Sequence, residues 1–78
     1  MSKIIIADVL YTMTDETYYI PNREYENAAK YQAETLDAVY EKLIADGWTR
    51  CGKVNKSDYS LVDMFSNSHN NYIAVWEE

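Results

Sequence analysis

One cysteine, one histidine, one proline and two glycines are all that this 78-residue chain contains of those types, and each scarcity removes a class of function. The single thiol, Cys51, has no intrachain partner, so no disulfide framework staples the fold, and a reducing compartment is the simplest setting. Cys51 and His69 cannot build a metal site by themselves. Glycines at 47 and 52 alone leave no phosphate-cradling loop. No acids alternate ahead of a glycine and a distal glutamate, as a calcium loop requires. No stretch approaches the roughly 18 apolar residues of a membrane span. The opening run KIIIADVL is broken by Asp8 and lacks a small-residue cleavage pattern, so no secretory signal is expected and the protein is expected to act in the cytoplasm.

Positive charge is scarce as well. Seven bases stand against thirteen acids, a net charge of -6, which repels phosphate and acidic lipid; direct binding of nucleic acid or membrane through a basic face is therefore not expected. Arg50, Lys53 and Lys56 make a counter-patch too sparse for a duplex. The imbalance lies mainly in the first half: residues 1–46 carry nine acids and four bases, net -5, and residues 47–78 carry four acids and three bases, net -1. An apolar content of 47% argues against disorder, and the length allows one core, so residues 1–78 are read as a single domain near the lower limit of unaided folding.

The apolar pattern predicts α+β. Lys3 to Met13 places Ile4, Ile6 and Leu10 on one pleat face and Ile5, Val9, Tyr11 and Met13 on the other, the signature of a central strand with a helix over one face and a partner over the second. Thr17 to Ile20 is a candidate short strand stopped by Pro21, which has no N–H for a ladder. From Asn22 the spacing of Tyr25, Ala29, Ala33, Leu36, Val39, Tyr40, Leu43 and Ile44 is helical. Two readings of this stretch stand open: one long helix, or a separate helix capped by Thr35 and starting at Leu36, with Ala28 to Glu34 as strand or loop. Gly47 is a left-handed stop, with Trp48 folding back on the last turn. Thr49 to Val54, Tyr59 to Phe65 and Tyr72 to Glu77 read as strands, separated by a turn at Asn55 to Asp58 and a hairpin loop at Ser66 to Asn71. The expected fold is an antiparallel sheet of three to five strands with one main helix packed across it.

No catalytic constellation emerges, so the chain is expected not to be an enzyme and to need no cofactor or metal. His69 lies among turn formers, where a solvated position explains it. Cys51 would need a general base beside it to act as a nucleophile, and Arg50 and Lys53 would favour its thiolate if they lay close; a small buried strand residue or a bulge next to Gly52 accounts for it as well. No spacing of acids marks a general acid/base pair.

Tyrosine is instead abundant, eight in the chain, and Tyr is a residue that interfaces favour. Tyr40 and Tyr59 lie on the apolar faces of their elements and are read as core. Tyr18, Tyr19 and Tyr25 flank Pro21 in a weakly patterned segment and are candidates for a binding patch. Acids accompany them at Asp15, Glu16, Glu24 and Glu26. If the helix extends far enough, Glu34, Asp37 and Glu41 fall at i, i+3 and i+7 on its solvent side. A solvated face explains such acids; the sharper reading is an acidic stripe that engages an arginine- or lysine-lined groove of a protein partner.

A short, acidic, tyrosine-rich α+β chain with a compact helix AETLDAVYEKLIADGW and a terminal strand NNYIAVWEE resembles the small proteins that bacteriophages and mobile elements make against host machinery, anti-CRISPR proteins among them. The resemblance implies a stoichiometric inhibitor in the host-cell cytoplasm that blocks a protein surface or occludes a nucleic-acid site. The alternative expectation is a self-assembling domain, a homodimer formed through the two-sided apolar strands Ile4 to Tyr11 and Tyr72 to Trp76.

Overall fold

The computed structural model describes residues 3–78. It has five strands, β1 (Ile4–Thr12), β2 (Thr17–Tyr19), β3 (Thr49–Asn55), β4 (Leu61–Ser66) and β5 (Tyr72–Glu77), one helix, α1 (Leu36–Ala45), and a 3-10 turn at Ala28–Tyr31. Every strand pair is antiparallel and the order is β2-β1-β5-β4-β3, so β1 is interior and β5 is central. The α+β expectation holds, with the sheet making up most of the structure.

The two apolar faces of β1 and β5 are both covered within one chain. Ile4 and Ile6 join Phe65, Ile73 and Val75 beneath Val39, Leu43 and Trp48, which is the helix-covered core. On the opposite face Val9, Val54, Val62, Met64 and Ala74 bury one another, flanked by Ile20, Tyr72 and Trp76. The sheet curls enough to bring its two end strands, β2 and β3, into contact, and this curl closes the second core.

The outer edge of β1 is sealed by the segment that follows it, which explains why no long helix starts at Asn22. β2 pairs Thr17 to Tyr19 with Thr12 to Leu10. Beyond Pro21 the Asp8 N–H donates to the Arg23 carbonyl (3.1 Å) and the Tyr25 N–H to the Ile6 carbonyl (3.0 Å), while Gln32 Nε2 donates to the Ile4 carbonyl (3.4 Å). An exposed row of β1 carbonyls and N–H groups would be a liability, and extended pairing here outweighs the helical spacing. Ala28 and Tyr31 are buried by the single 3-10 turn, and the backbone extends again at Gln32.

The separate-helix reading is the correct one. Thr35 is the N-cap, its Oγ1 accepting from the Ala38 N–H at 3.2 Å. Glu34 therefore precedes the helix and does not share the face of Asp37 and Glu41. At the other end Gly47 has φ +95°; its N–H bonds the Ile44 carbonyl (3.1 Å) and the Trp48 N–H bonds the Leu43 carbonyl (3.0 Å), a Schellman stop with Trp48 buried behind it. No atom approaches the place where a Cβ would stand at Gly47, so a side chain there meets strain alone. Gly47→Val is expected to lose about 1–2 kcal/mol by thermal melting, from the left-handed backbone; an unchanged melting temperature would contradict this stop.

Two hairpin turns complete the sheet. β3 carries a bulge between Arg50 and Gly52, with Gly52 at φ +138°. The β3–β4 turn runs further than the pattern suggested: Tyr59 sits in it at φ +68°, 85% exposed, and β4 begins only at Leu61. The core assignment of Tyr59 is thus corrected. Lys56 N–H donates to the Ser60 carbonyl and Asp58 Oδ1 accepts from the Ser60 N–H, which tightens a turn that leaves the tyrosine outside. In the β4–β5 loop Asn67 Oδ1 accepts from the N–H groups of His69 and Asn71, with Asn70 left-handed. Among the described residues no helix is long and apolar enough to cross a membrane.

Candidate functional site

β1 outruns its cover. Ile4 and Ile6 lie under α1, whereas Leu10 to Thr12 pair only with the three-residue β2. From Ile6 to Thr12 the strand advances about 20 Å, so the hairpin projects away from the helix-covered core. Tyr11 and Tyr18 are cross-strand partners with ring centroids 4.9 Å apart, and Tyr72 packs edge-on against Tyr18 at 5.2 Å. Leu10 and Tyr19 face each other on the opposite side of the hairpin. Thr17 Oγ1 donates to the Asp15 carbonyl (3.0 Å) and Thr12 Oγ1 to the Thr17 carbonyl (3.2 Å), fixing the turn that carries Asp15 and Glu16. Asp15, Glu16, Tyr18 and Tyr19 are all exposed here, together with Leu10, Tyr11 and Met13.

Tyr25 parts company with Tyr18 and Tyr19. It is half-buried, edge-on against Trp48 at 5.7 Å, and acts as packing for the helix-covered core. Glu24 and Glu26 flank it, exposed, at a shallow groove that also holds Asp8, Arg23 and Asn71. Asp37 and Glu41 are exposed on α1, and Glu34 is exposed in the bend before it. The candidate residues thus fall on three surfaces: the projecting hairpin, the edge segment along β1, and the helix.

Their electrostatic state is uniform. The ion pairs among the described residues are Arg23–Asp8 (2.6 Å), Lys30–Asp46 (3.1 Å), Arg50–Asp63 (2.7 Å) and Lys56–Asp58 (3.7 Å). Four of the seven bases are spent on these acids, and none of Asp15, Glu16, Glu24, Glu26, Glu34, Asp37 or Glu41 belongs to an ion pair.

The acids that are paired serve the fold. Asp63, on β4, accepts from the Tyr40 hydroxyl (2.6 Å) and from Arg50 Nη2 (2.7 Å), and Arg50 lies over the Tyr40 ring. Burial pushes the Asp63 carboxyl up, but these two donors overcome it and hold the group below the usual carboxylate range; burial and the same contact raise Tyr40 well above the usual phenol range. Asp46, at the end of α1, accepts from the Tyr31 hydroxyl and pairs with Lys30, which lower it in that order. Trp48 Nε1 donates back to the Tyr31 oxygen at 3.0 Å. These two networks tie α1 to the sheet and to the 3-10 turn.

Cys51 and His69 do not converge on chemistry. Cys51 is exposed at the bulge, its Sγ 3.5 Å from the Met64 carbonyl, and His69 is exposed in the β4–β5 loop. Among the described residues no group of three or more His, Cys, Asp or Glu is placed to hold a metal ion.

Sequence reasoning located Tyr18, Tyr19, Asp15 and Glu16 but not the apolar partners Leu10, Met13 and Tyr72 that stand beside them. A detectable signal was present, since a long strand segment ending in Leu10, Tyr11 and Met13 and facing a strand of three leaves a tip that the partner strand cannot cover. No family model, no curated protein and no solved structure matches this chain.

Proposed function

We propose that this chain is a non-enzymatic binding protein that inhibits or modulates a protein partner with a basic, nucleic-acid-handling surface, as phage and mobile-element proteins such as anti-CRISPR proteins do. The observation that carries the reading is the distribution of ion pairs. The chain's own cations neutralise Asp8, Asp46, Asp58 and Asp63, while seven exposed acids on the hairpin, the edge segment, the bend at Glu34 and the helix have no ion-pair partner among the described residues. Such uncompensated charge steers a cationic surface toward the molecule and is screened by salt. The homodimer alternative has less to rest on, because the second apolar face closes on Val9, Val54, Val62, Met64 and Ala74 within one chain.

Tagged protein is expected to retain a stoichiometric protein partner from nuclease-treated bacterial lysate, more of it at low salt than near 0.15 M, where the screening length is about 8 Å. Asp37→Lys combined with Glu41→Lys is expected to weaken that complex with circular dichroism unchanged; unaltered affinity would remove the helix from the contact surface. Recovery of the bait alone, as a multimer, would overturn the reading in favour of self-assembly.

A further inference from the structure

Among the described residues three cations lie over aromatic rings. Lys30 lies over Tyr31 at 5.6 Å, Arg50 over Tyr40 at 5.7 Å and Lys56 over Trp76 at 5.2 Å. The rings of the β1–β2 hairpin are different. Tyr11, Tyr18 and Tyr72 form a continuous ladder, yet among the described residues no cation covers any of them, and residues 10–20 contain no lysine or arginine. At the end of this ladder stand Asp15 and Glu16, exposed and without an ion-pair partner. Beside it Met13 is 81% exposed, and a shallow groove of about 460 Å³ runs past Leu10, Tyr11, Met13 and Tyr72; Arg23 also lines this groove, but it is held by Asp8 at 2.6 Å and lies over none of these rings.

Exposed aromatic faces next to uncompensated carboxylates are complementary to one kind of side chain. A guanidinium can lie flat on a phenol ring and send its N–H fork to a carboxylate, whereas an ammonium offers a point charge with no plane to stack. The exposed Met13, which lines the same groove as Tyr11, suits the alkyl stem that carries such a head group. We propose that the Tyr11–Tyr18–Tyr72 ladder is the docking surface for an arginine-bearing segment of the protein partner, with Asp15 and Glu16 as its ionic anchors. This deepens the preceding proposal and rests on it: it selects the hairpin over the helix and arginine over lysine as the group engaged.

The probes are nona-arginine, nona-lysine and nona-glutamate peptides added to the full chain labelled with nitrogen-15, at low salt, with amide shifts followed by NMR. The expected result is that shifts concentrate at residues 10–19 and 70–73, that nona-arginine binds roughly threefold more tightly than nona-lysine because of ring stacking, and that nona-glutamate does nothing. Tyr11→Leu with Tyr18→Leu keeps apolar bulk on the strands and is expected to erase the arginine preference while preserving the spectrum elsewhere. Should this pair disturb the fold, Asp15→Asn with Glu16→Gln tests the same surface from its charged end and is expected to lower nona-arginine affinity several-fold. Shifts centred on Asp37 and Glu41, indifferent to both pairs of substitutions, would overturn the hairpin assignment and leave the basic-partner reading standing. Absence of any shift with either cationic peptide would overturn both. Hairpin shifts that follow protein concentration without peptide would overturn the proposal by showing that a second copy occupies the surface.

Discussion

Trp48→Ala is expected to remove about a third or more of the protein's stability, the largest loss of any single substitution considered. The indole is buried at the junction of α1, the 3-10 turn and the sheet core, edge-on to Tyr25 (5.7 Å) and Tyr31 (6.4 Å). Its Nε1–H donates to the Tyr31 hydroxyl oxygen, and that hydroxyl in turn donates to Asp46. Truncating a buried Trp typically costs about 3–5 kcal/mol, from lost transfer free energy and the cavity left behind. A 78-residue domain has a total stability of about 4–12 kcal/mol. Urea unfolding followed by circular dichroism should therefore show the midpoint moved strongly toward zero denaturant, and an unchanged midpoint would contradict the packing described. Trp48→Phe keeps an aromatic ring at the site and loses the N–H donor together with part of the indole volume; it is expected to cost less than the alanine change, about 1–3 kcal/mol. If the two variants lose equal stability, the hydrogen bond and not the packing is what Trp48 contributes.

Asp63→Ala is the second large effect. Removing this half-buried carboxylate strands the Tyr40 hydroxyl beneath α1 and releases Arg50. An unsatisfied buried donor costs about 1–3 kcal/mol, and the Arg50 contribution is small because that side chain is 55% exposed and screened. The expected loss is about 2–3 kcal/mol by urea unfolding, dominated by Tyr40. The pair also carries a pH dependence of definite sign. The folded Asp63 carboxyl titrates below its unfolded value, so its contribution is present above the unfolded carboxylate pKa of about 3.9 and is lost as pH falls through the lower folded value. Asp46 acts in the same direction. Wild-type stability is thus expected to fall between pH 5 and pH 2, and Asp63→Asn to flatten part of that fall; a parallel curve for Asp63→Asn would show that the carboxylate is not held by Tyr40 and Arg50.

The candidate surface was legible to the extent that its signal was local. Tyr18, Tyr19, Asp15 and Glu16 stood out because they surround a turn and a proline, and the structure leaves all four exposed. Tyr25 and Tyr59 went the other way for a common reason: burial of a tyrosine depends on what lies across from it. Trp48 covers Tyr25, and nothing covers Tyr59 in the β3–β4 turn.

By itself the sequence determined the elements whose signals lie within a few residues: the β1 run, the second half of the helix with its Gly47 stop, and the SNSHNN loop; the Thr35 start and the bulge at Gly52 were each one of two readings it allowed. Cap hydrogen bonds, left-handed glycines and pleat alternation are short-range interactions, so a short window contains their cause. Tertiary structure alone decided three things. It assigned residues 23–32 to sealing the β1 edge, because the partner for those backbone groups lies a turn and a strand away. It closed the second apolar face by curling the sheet until β2 met β3, which depends on twist summed over five strands. And it chose which acids would be neutralised, since an ion pair needs two side chains brought together from distant positions such as Arg50 and Asp63.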